Sequence, residues 1–287
     1  MKNLKLFIEL TRFNKPIGYM LLFWPCLWGL TIAYDFENNL STYFFYLVLF
    51  FLGSVFMRSA GCIVNDIVDR HYDKKVNRTK NRPIASGSVS IKIGFLYVSI
   101  LCLVALLVLL QFNRFTIFLA LISTPLAFAY PYMKRFTYWP QLFLGITFNY
   151  GLLLGWTSVQ ENLSLIPIIF YFGAIFWTLG YDTIYGYQDI KDDEIIGVKS
   201  TSIKFKNNPK KFLSLCYLIY LSSIIITGLY MDFNNVYFLF LLIPITHMFF
   251  QIKMLDIKDS SICLKIFKSN NIFGLLIFIN LFIGKLI

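Results

Sequence analysis

Nine long stretches of mostly apolar residues dominate this sequence, and each is close to the length that crosses a lipid bilayer. About 20 residues of helix span the hydrocarbon core, and lipid provides no hydrogen-bond partner for exposed backbone groups. A membrane β-barrel would need segments of about ten residues that alternate in hydropathy, which these stretches do not. The sequence therefore predicts an all-α, polytopic membrane protein. The nine predicted transmembrane helices lie at residues 17–34, 43–64, 93–111, 115–132, 139–158, 163–181, 212–231, 235–250 and 270–287.

Composition excludes several classes of soluble protein. Hydrophobic residues make up 57% of the 287 residues and charged residues only 14%, whereas a soluble domain carries about 25% charged residues. A soluble enzyme, a disordered chain and a nucleic-acid-binding module are therefore excluded, although the formal net charge is +11. The five cysteines show no paired spacing, so they are predicted to be small packing residues. We interpret residues 1–287 as a single integral-membrane domain.

The basic residues indicate how the chain is oriented. Apart from Arg58, Arg114 and Lys285, every Lys and Arg lies in one of five alternate segments, at residues 1–16, 65–92, 133–138, 182–211 and 251–269. Because Lys and Arg concentrate in cytoplasmic loops, the two long loops that contain acidic residues, 65–92 and 182–211, are predicted to face the cytoplasm. Residues 1–15 do not resemble a signal or transit peptide, which favours a bacterial inner membrane over a mitochondrial one.

Two groups of carboxylates follow predicted spans on this cytoplasmic side. If each span continues as a helix, the members of a group share one helix face. Like charges stacked on one face are destabilising unless a cation lies between them, and Mg²⁺ commonly bridges such carboxylates to phosphate groups. Two groups of this kind favour a Mg²⁺–diphosphate site over solvated loop carboxylates. The groups are Asp66, Asp69 and Asp73, and then Asp182, Asp189 and Asp193, with Tyr185 on the second face and Asp192 pointing away from it.

Cations accompany the first acidic group, and one cation lies deeper. Arg binds phosphate through paired hydrogen bonds and Lys binds it as a point charge. Arg58 lies inside the second predicted span, where an ionisable residue is costly and indicates a functional partner. Aromatic rings, among them 31 Phe and 18 Tyr, can steady a carbocation. The residues alone therefore predict a membrane enzyme of lipid diphosphates and leave its acceptor open. The accompanying cations are Arg70, Lys74, Lys75, Arg78, Lys80 and Arg82.

The same segments resemble the signatures of a known family. Asn65-Asp66-x-x-Asp69-x-x-x-Asp73 with Asn77–Pro83, and Asp182-Thr183-x-Tyr185 leading to Asp189-x-x-x-Asp193 and Gly197–Thr201, are similar to the two motifs of the UbiA superfamily of intramembrane aromatic prenyltransferases. Three further segments resemble the branch that prenylates 4-hydroxybenzoate in ubiquinone biosynthesis. They are Arg12–Gly18, Met57–Cys62 and Tyr130–Arg135. The resemblance runs from about residue 11 to residue 205.

This resemblance implies a fold and a reaction. It implies nine transmembrane helices around a central cavity, with the two motifs facing each other beneath cytoplasmic loops. It also implies Mg²⁺ as cofactor, a polyprenyl diphosphate as donor and 4-hydroxybenzoate as acceptor, with diphosphate released. The implied metal ligands are Asn65, Asp69, Asp73, Asp189 and Asp193, supported by Asp66 and Asp182, and the catalytic carboxylates among them are Asp69, Asp73, Asp189 and Asp193.

The resemblance implies substrate-binding residues as well. Those expected to grip the diphosphate are Arg70, Lys74, Arg78 and Lys199, those expected to hold the acceptor carboxylate are Arg12, Arg58 and Arg135, and those expected to close the site are Tyr130 and Lys134. Other readings stay open at this point. A relative could prenylate a dihydroxynaphthoate or haem, a transporter could place charges in a helix bundle, and a structural subunit would need no chemistry at all. The length of the prenyl tail and the oligomeric state are also open.

Overall fold

The computed structural model describes residues 2–287, and within this range it is built from helices without strands. The helices are α1 (Lys2–Thr11), α2 (Pro16–Ala33), α3 (Leu40–Asp73), α4 (Ile91–Leu109), α5 (Arg114–Ala129), α6 (Met133–Phe136), α7 (Pro140–Gln160), α8 (Leu165–Gly186), α9 (Ile190–Ile196), α10 (Thr201–Lys204), α11 (Pro209–Tyr230), α12 (Asn235–Phe240), α13 (Leu242–Met254) and α14 (Ser260–Leu286). Short 3-10 turns at Tyr130–Tyr132 and Tyr187–Asp189 join α5 to α6 and α8 to α9.

Nine helical segments between residues 2 and 287 are long and apolar enough to cross a membrane. Six of them are the single helices α2, α3, α4, α7, α11 and α14, and the other three combine α5 with α6, α8 with α9, and α12 with α13. The predicted all-α architecture with nine transmembrane segments is thereby confirmed.

Three of these helices extend beyond the predicted spans. Helix α3 continues past residue 64 to Asp73, and the segment that begins with α8 continues past residue 181 to Ile196. Hydropathy marks where apolar residues end, whereas a helix ends at a breaker, and residues 65–73 contain neither Gly nor Pro. Helix α14 starts at Ser260 rather than at residue 270, because Asp259 caps it by accepting from the Ser261 and Ile262 amides. The predicted loops 65–92 and 182–211 are therefore partly helical.

Glycines bring α2 and α7 into close contact at the centre of the bundle. A Cβ atom on Gly29 would lie 2.0 Å from the carbonyl oxygen of Leu152, and one on Gly155 would lie 2.2 Å from that of Cys26. Small residues of this kind let transmembrane helices approach backbone to backbone. The close approach fixes α2 against α7, and both helices line the cavities described below.

An aromatic cluster joins α2, α8 and α14. The rings of Trp28 and Trp177 are fully buried, and their centroids lie 5.0 Å apart. Each indole N–H finds an acceptor on α14, since Trp28 Nε1 donates to the Gly274 carbonyl at 3.0 Å and Trp177 Nε1 donates to Asn270 Oδ1 at 2.9 Å. Buried indoles need such partners, so the cluster sets both the spacing and the register of the three helices.

A second apolar cluster fixes the segment that follows α3. Leu10 of α1 and Ile63 of α3 pack with Ile84 and Val89, which belong to the loop 74–90. These four side chains are all buried. The loop is thus anchored over the C-terminal end of α3, which brings its Arg82 to the carboxylates of that helix.

Candidate active site

A cavity of about 960 Å³ lies at the C-terminal ends of α3 and α8. The two acidic groups face it from these two helices, from the turn Tyr187–Asp189 and from α9. The structure brings all seven predicted metal-site residues to its lining, namely Asn65, Asp66, Asp69, Asp73, Asp182, Asp189 and Asp193. Residues separated by more than 100 positions in the chain therefore share one polar chamber.

The carboxylates of α3 are held by arginines. Arg82 Nη1 donates to Asp66 Oδ1 at 3.1 Å and to Asp73 Oδ2 at 2.9 Å, so one guanidinium bridges two turns of the helix. Arg12 Nη2 donates to Asp66 Oδ1 at 2.7 Å. Asp66 is almost fully buried, and a buried carboxylate requires such compensation. The like charges on this face are therefore neutralised by cations of the protein.

Arg12 reaches the cavity through an unusual backbone conformation. It lies in the turn between α1 and α2 and has φ 57°, in the left-handed region that costs a non-glycine residue about 1–2 kcal/mol. Its ion pair with Asp66 accompanies this strained turn. Residues held in sparsely populated backbone regions cluster at functional sites.

The second acidic group is joined to the loop 74–90. Arg78 Nε donates to Asp189 Oδ1 at 2.8 Å, and Arg78 Nη1 donates to the Tyr185 hydroxyl at 2.9 Å. The amide of Asn77 donates to Asp192 Oδ2 at 3.2 Å. Burial disfavours the charged guanidinium, but these contacts with Asp189 and Tyr185 raise the pKa of Arg78 above its ordinary value. Arg78 therefore stays a cation between the two motifs.

The carboxylates fit a divalent cation that arrives with an anionic substrate. Within residues 2–287, no three His, Cys, Asp or Glu side chains form a ready-made metal cage. Asp69 pairs with Lys134 through one oxygen, and its other oxygen, Oδ1, is buried without a hydrogen-bond partner in the described residues. A buried acceptor in this state is costly. Mg²⁺ sites typically use one or two carboxylates and are completed by substrate phosphates, which this chamber can accommodate.

A second cavity, of about 370 Å³ and mostly apolar, lies deeper between α2, α3, α4, α5 and α7. Arg58, Tyr130 and Phe148 line both cavities, so the two meet at these residues. The Arg58 guanidinium lies 5.4 Å from the centroid of the Phe148 ring, and its Nη1 donates to Cys62 Sγ at 3.0 Å. No carboxylate in residues 2–287 forms a salt bridge with it. Arg58 is a cation inside the membrane that can receive an anion.

Six of the nine predicted substrate-binding residues line the polar cavity, and three do not. The six are Arg12, Arg58, Arg78, Tyr130, Lys134 and Lys199. Arg70 instead donates to the Ile67 carbonyl at 3.0 Å, and Arg135 donates to the Val68 carbonyl at 2.8 Å. Lys74 is exposed. Each of these three follows by one position a residue that does line the cavity, and one position turns a helix by about 100°. In this structure these three side chains therefore lie outside the cavity lining, and their contact with substrate stays a prediction.

The structure adds two residues that the prediction of the site omitted. Arg82 bridges Asp66 and Asp73, and Tyr185 accepts from Arg78. Both carried a signal in the sequence, because Arg82 belongs to the Asn77–Pro83 segment and Tyr185 shares the helix face of the second acidic group.

Comparison with known proteins gives the same family that the motifs indicated. The family model described as the UbiA prenyltransferase family matches residues 22–281, which includes the last third of the chain. The sequence is 42% identical to the mitochondrial 4-hydroxybenzoate polyprenyltransferase of Bos taurus, over 99% of this chain and 76% of that protein. It is 40% identical to 4-hydroxybenzoate geranyltransferase 1 of Lithospermum erythrorhizon, over 99% of this chain and 92% of that protein.

Solved structures show the same fold. A UbiA homologue from Aeropyrum pernix K1 matches 92% of this chain and 96% of its own, with a TM-score of 0.76 and 20% sequence identity. A UbiA homologue from Archaeoglobus fulgidus bound to GPP and Mg²⁺ matches 98% of this chain and 100% of its own, with a TM-score of 0.70 and 17% identity.

Proposed function

Because this chain belongs to the UbiA prenyltransferase family, we propose that it transfers a polyprenyl group from a polyprenyl diphosphate to the ring of 4-hydroxybenzoate and releases diphosphate. The observation that carries the proposal is the meeting of two cavities at Arg58. One is polar and lined by carboxylates and cations, and the other is apolar. The polar cavity suits the diphosphate of a lipid diphosphate, and the apolar cavity suits its lipid chain. The cation at their junction suits the carboxylate of an aromatic acid. Relatives named for this reaction, at 40–42% identity, support the assignment.

We propose that the polar cavity binds the diphosphate together with Mg²⁺. The residues that would hold the metal are Asn65, Asp69, Asp73, Asp189 and Asp193, with Asp66 and Asp182 supporting them. Bound Mg²⁺ neutralises charge on the leaving diphosphate as its bond to the prenyl carbon breaks. Arg78 and Lys134 now pair with Asp189 and Asp69. These two cations line the same cavity and would also bind diphosphate oxygens. Arg82 and Lys199 lie in the same lining.

The apolar cavity would receive the prenyl chain. Its walls come from five transmembrane helices, and they include Leu22, Leu49, Phe50, Ala105 and Leu109. Tyr130 and Phe148 stand where the chain would enter the polar chamber. Their aromatic faces can stabilise positive charge on the allylic carbon by up to about 2 kcal/mol in a desolvated site. The same apolar walls exclude water, which would otherwise capture the cation.

Arg58 would bind the carboxylate of 4-hydroxybenzoate. It has no salt-bridge partner among residues 2–287, and a guanidinium matches a carboxylate through two parallel hydrogen bonds. Holding the acid at the junction places the ring against the allylic carbon, and the new bond forms ortho to the hydroxyl. Loss of the ring proton then restores aromaticity. Arg12 points its guanidinium towards Asp66, so Arg58 is favoured over Arg12 and Arg135 for this role.

The protein is a multi-pass membrane protein. We propose that its active site faces the cytoplasm of a bacterial cell from the inner membrane, in one domain that comprises the whole chain. The alternation of basic segments supports this orientation, and the extent of the family match supports a single domain. The inner membrane itself stays a prediction, since the bovine relative is mitochondrial.

A reconstituted assay tests the proposal. Purified protein in liposomes would receive radiolabelled 4-hydroxybenzoate, a long-chain polyprenyl diphosphate and Mg²⁺, and a parallel sample would contain EDTA. We expect prenylated product that EDTA abolishes. Mg²⁺-dependent release of diphosphate without that product would contradict 4-hydroxybenzoate as the acceptor. The next acceptors to test would then be dihydroxynaphthoate and haem. If folded protein forms neither product nor diphosphate with donors of several lengths, the enzymatic function is overturned and a transporter is favoured.

If the apolar cavity holds the prenyl chain, Gly53→Phe is expected to lower activity with long-chain polyprenyl diphosphates. Gly53 lines this cavity, and a Cβ atom there meets no other heavy atom within 4 Å, so a larger side chain fills open space. We expect kcat/KM for a long-chain donor to fall about tenfold or more, since overpacking costs about 1–3 kcal/mol, while geranyl diphosphate is little affected. Val48→Phe is the matched control, because Val48 lies on the same helix but is half exposed to lipid. Equal losses with both donors would contradict this use of the cavity.

A further inference from the structure

We propose that Cys62 is a positioning residue for the acceptor, because its sulfur holds Arg58 in the orientation that receives the carboxylate. The inference rests on the proposed function and assigns to Cys62 a role that its sequence pattern does not indicate. The pattern predicts a small packing residue, whereas the structure places the thiol in the lining of the polar cavity beside a guanidinium.

The contact lies within one helix. Cys62 and Arg58 are four positions apart on α3, so their side chains lie on the same face of the helix, about one turn apart, and can contact each other. Arg58 Nη1 donates to Cys62 Sγ at 3.0 Å, and the thiol is 1% exposed. This is the hydrogen bond that the guanidinium forms within residues 2–287, and the buried Nε of Arg58 has no partner there.

Two further contacts confine the same side chain. A Cβ atom on Gly18 would lie 3.0 Å from Arg58 Nε, so the first turn of α2 closes one side. The Phe148 ring lies 5.4 Å away on another side. Neither the glycine nor the ring accepts a conventional hydrogen bond, and therefore neither can set the direction of the N–H groups. The sulfur is the hydrogen-bond acceptor that the structure gives this guanidinium within residues 2–287.

Arg58 needs this support because of its length and its location. A free arginine side chain loses rotamer entropy when it is fixed, and a substrate that had to fix it would bind more weakly. A cation inside the membrane would otherwise turn towards any available acceptor. Anchored at Cys62, the guanidinium already occupies the junction of the two cavities before the acid arrives.

The test compares Cys62→Ala with Cys62→Ser in the full-length protein in liposomes. Alanine removes the acceptor, whereas serine keeps a small group that can accept a hydrogen bond. We expect Cys62→Ala to raise KM for 4-hydroxybenzoate about fivefold, the usual effect of one hydrogen bond, with kcat and the KM for the donor unchanged. Cys62→Ser is expected to stay within about twofold of the original protein.

A double variant shows whether Cys62 acts through Arg58. In the Arg58→Met background, Cys62→Ala is expected to cause no additional loss of kcat/KM, because the side chain that it holds is absent. Additive losses would overturn the inference, and so would an unchanged KM in Cys62→Ala or a loss confined to kcat. If the wild-type protein makes no prenylated acid, the proposed function fails, and the role of Cys62 fails with it. If the wild-type protein is active and any of these overturning results is found, the role of Cys62 is rejected and the proposed function stands.

Discussion

Replacing Asp193 by Asn is expected to lower kcat/KM for prenyl transfer by at least about 100-fold, the effect typical of removing one preorganised electrostatic contact to a transition state. Asp193 lines the polar cavity opposite the carboxylates of α3. Asparagine keeps its size but removes the negative charge that a divalent cation requires. Initial rates at varied, subsaturating donor, measured over a range of Mg²⁺ concentrations, check this result.

Asp192 provides the matched control, because it is the adjacent residue of the same short helix and lies outside the cavity lining. Its carboxylate accepts a hydrogen bond from the Asn77 amide, which an asparagine side-chain oxygen can also accept. Asp192→Asn is therefore expected to keep activity within about threefold. Equal losses in the two variants would mean that the acidic segment acts through its overall charge, and the assignment of individual ligands would be wrong.

Replacing Arg58 by Met is expected to lower kcat/KM for 4-hydroxybenzoate by about 30-fold or more, because removing one partner of a buried, hydrogen-bonded charge pair costs about 2–5 kcal/mol. Methionine retains much of the apolar length of the side chain. The loss is expected in the KM for the acid, since the guanidinium binds the part of the acceptor that does not react. Initial rates at varied acceptor and saturating donor separate KM from kcat.

Arg58→Lys distinguishes charge from shape at the same position. Lysine keeps a positive charge but lacks the planar pair of donors, so its activity is expected to fall between those of the original protein and Arg58→Met. A fall in kcat with an unchanged acceptor KM in both variants would contradict the role of Arg58 in binding the acid.

The sequence predicted the helical architecture more completely than it predicted the residues that line the polar cavity. Long apolar runs are enough to predict nine spans, because the bilayer imposes length and hydrogen bonding on any chain that crosses it. The one-faced spacing predicts that each acidic group lines one side of its helix, and the family resemblance implies that Asp69 and Asp189 face a common site; the structure places both in one cavity. Their roles as metal ligands stay predictions.

Other features depend on tertiary packing that no local pattern records. The bridge from Arg82 to Asp66 and Asp73 exists because the loop 74–90 is anchored by Ile84 and Val89 in an apolar cluster. By contrast, the positions of Arg70, Lys74 and Arg135 could have been predicted better, since helical rotation alone turns each of them away from a cavity-lining neighbour.

The left-handed backbone of Arg12 has a consequence for attempts to make the protein more robust. Glycine adopts this conformation without the steric cost that arginine bears there, so relief of backbone strain alone would favour glycine at residue 12. That choice would also discard the guanidinium paired with Asp66. At this position, the backbone and the buried carboxylate of Asp66 thus favour different amino acids, and a gain from relaxing the turn is offset by the lost ion pair.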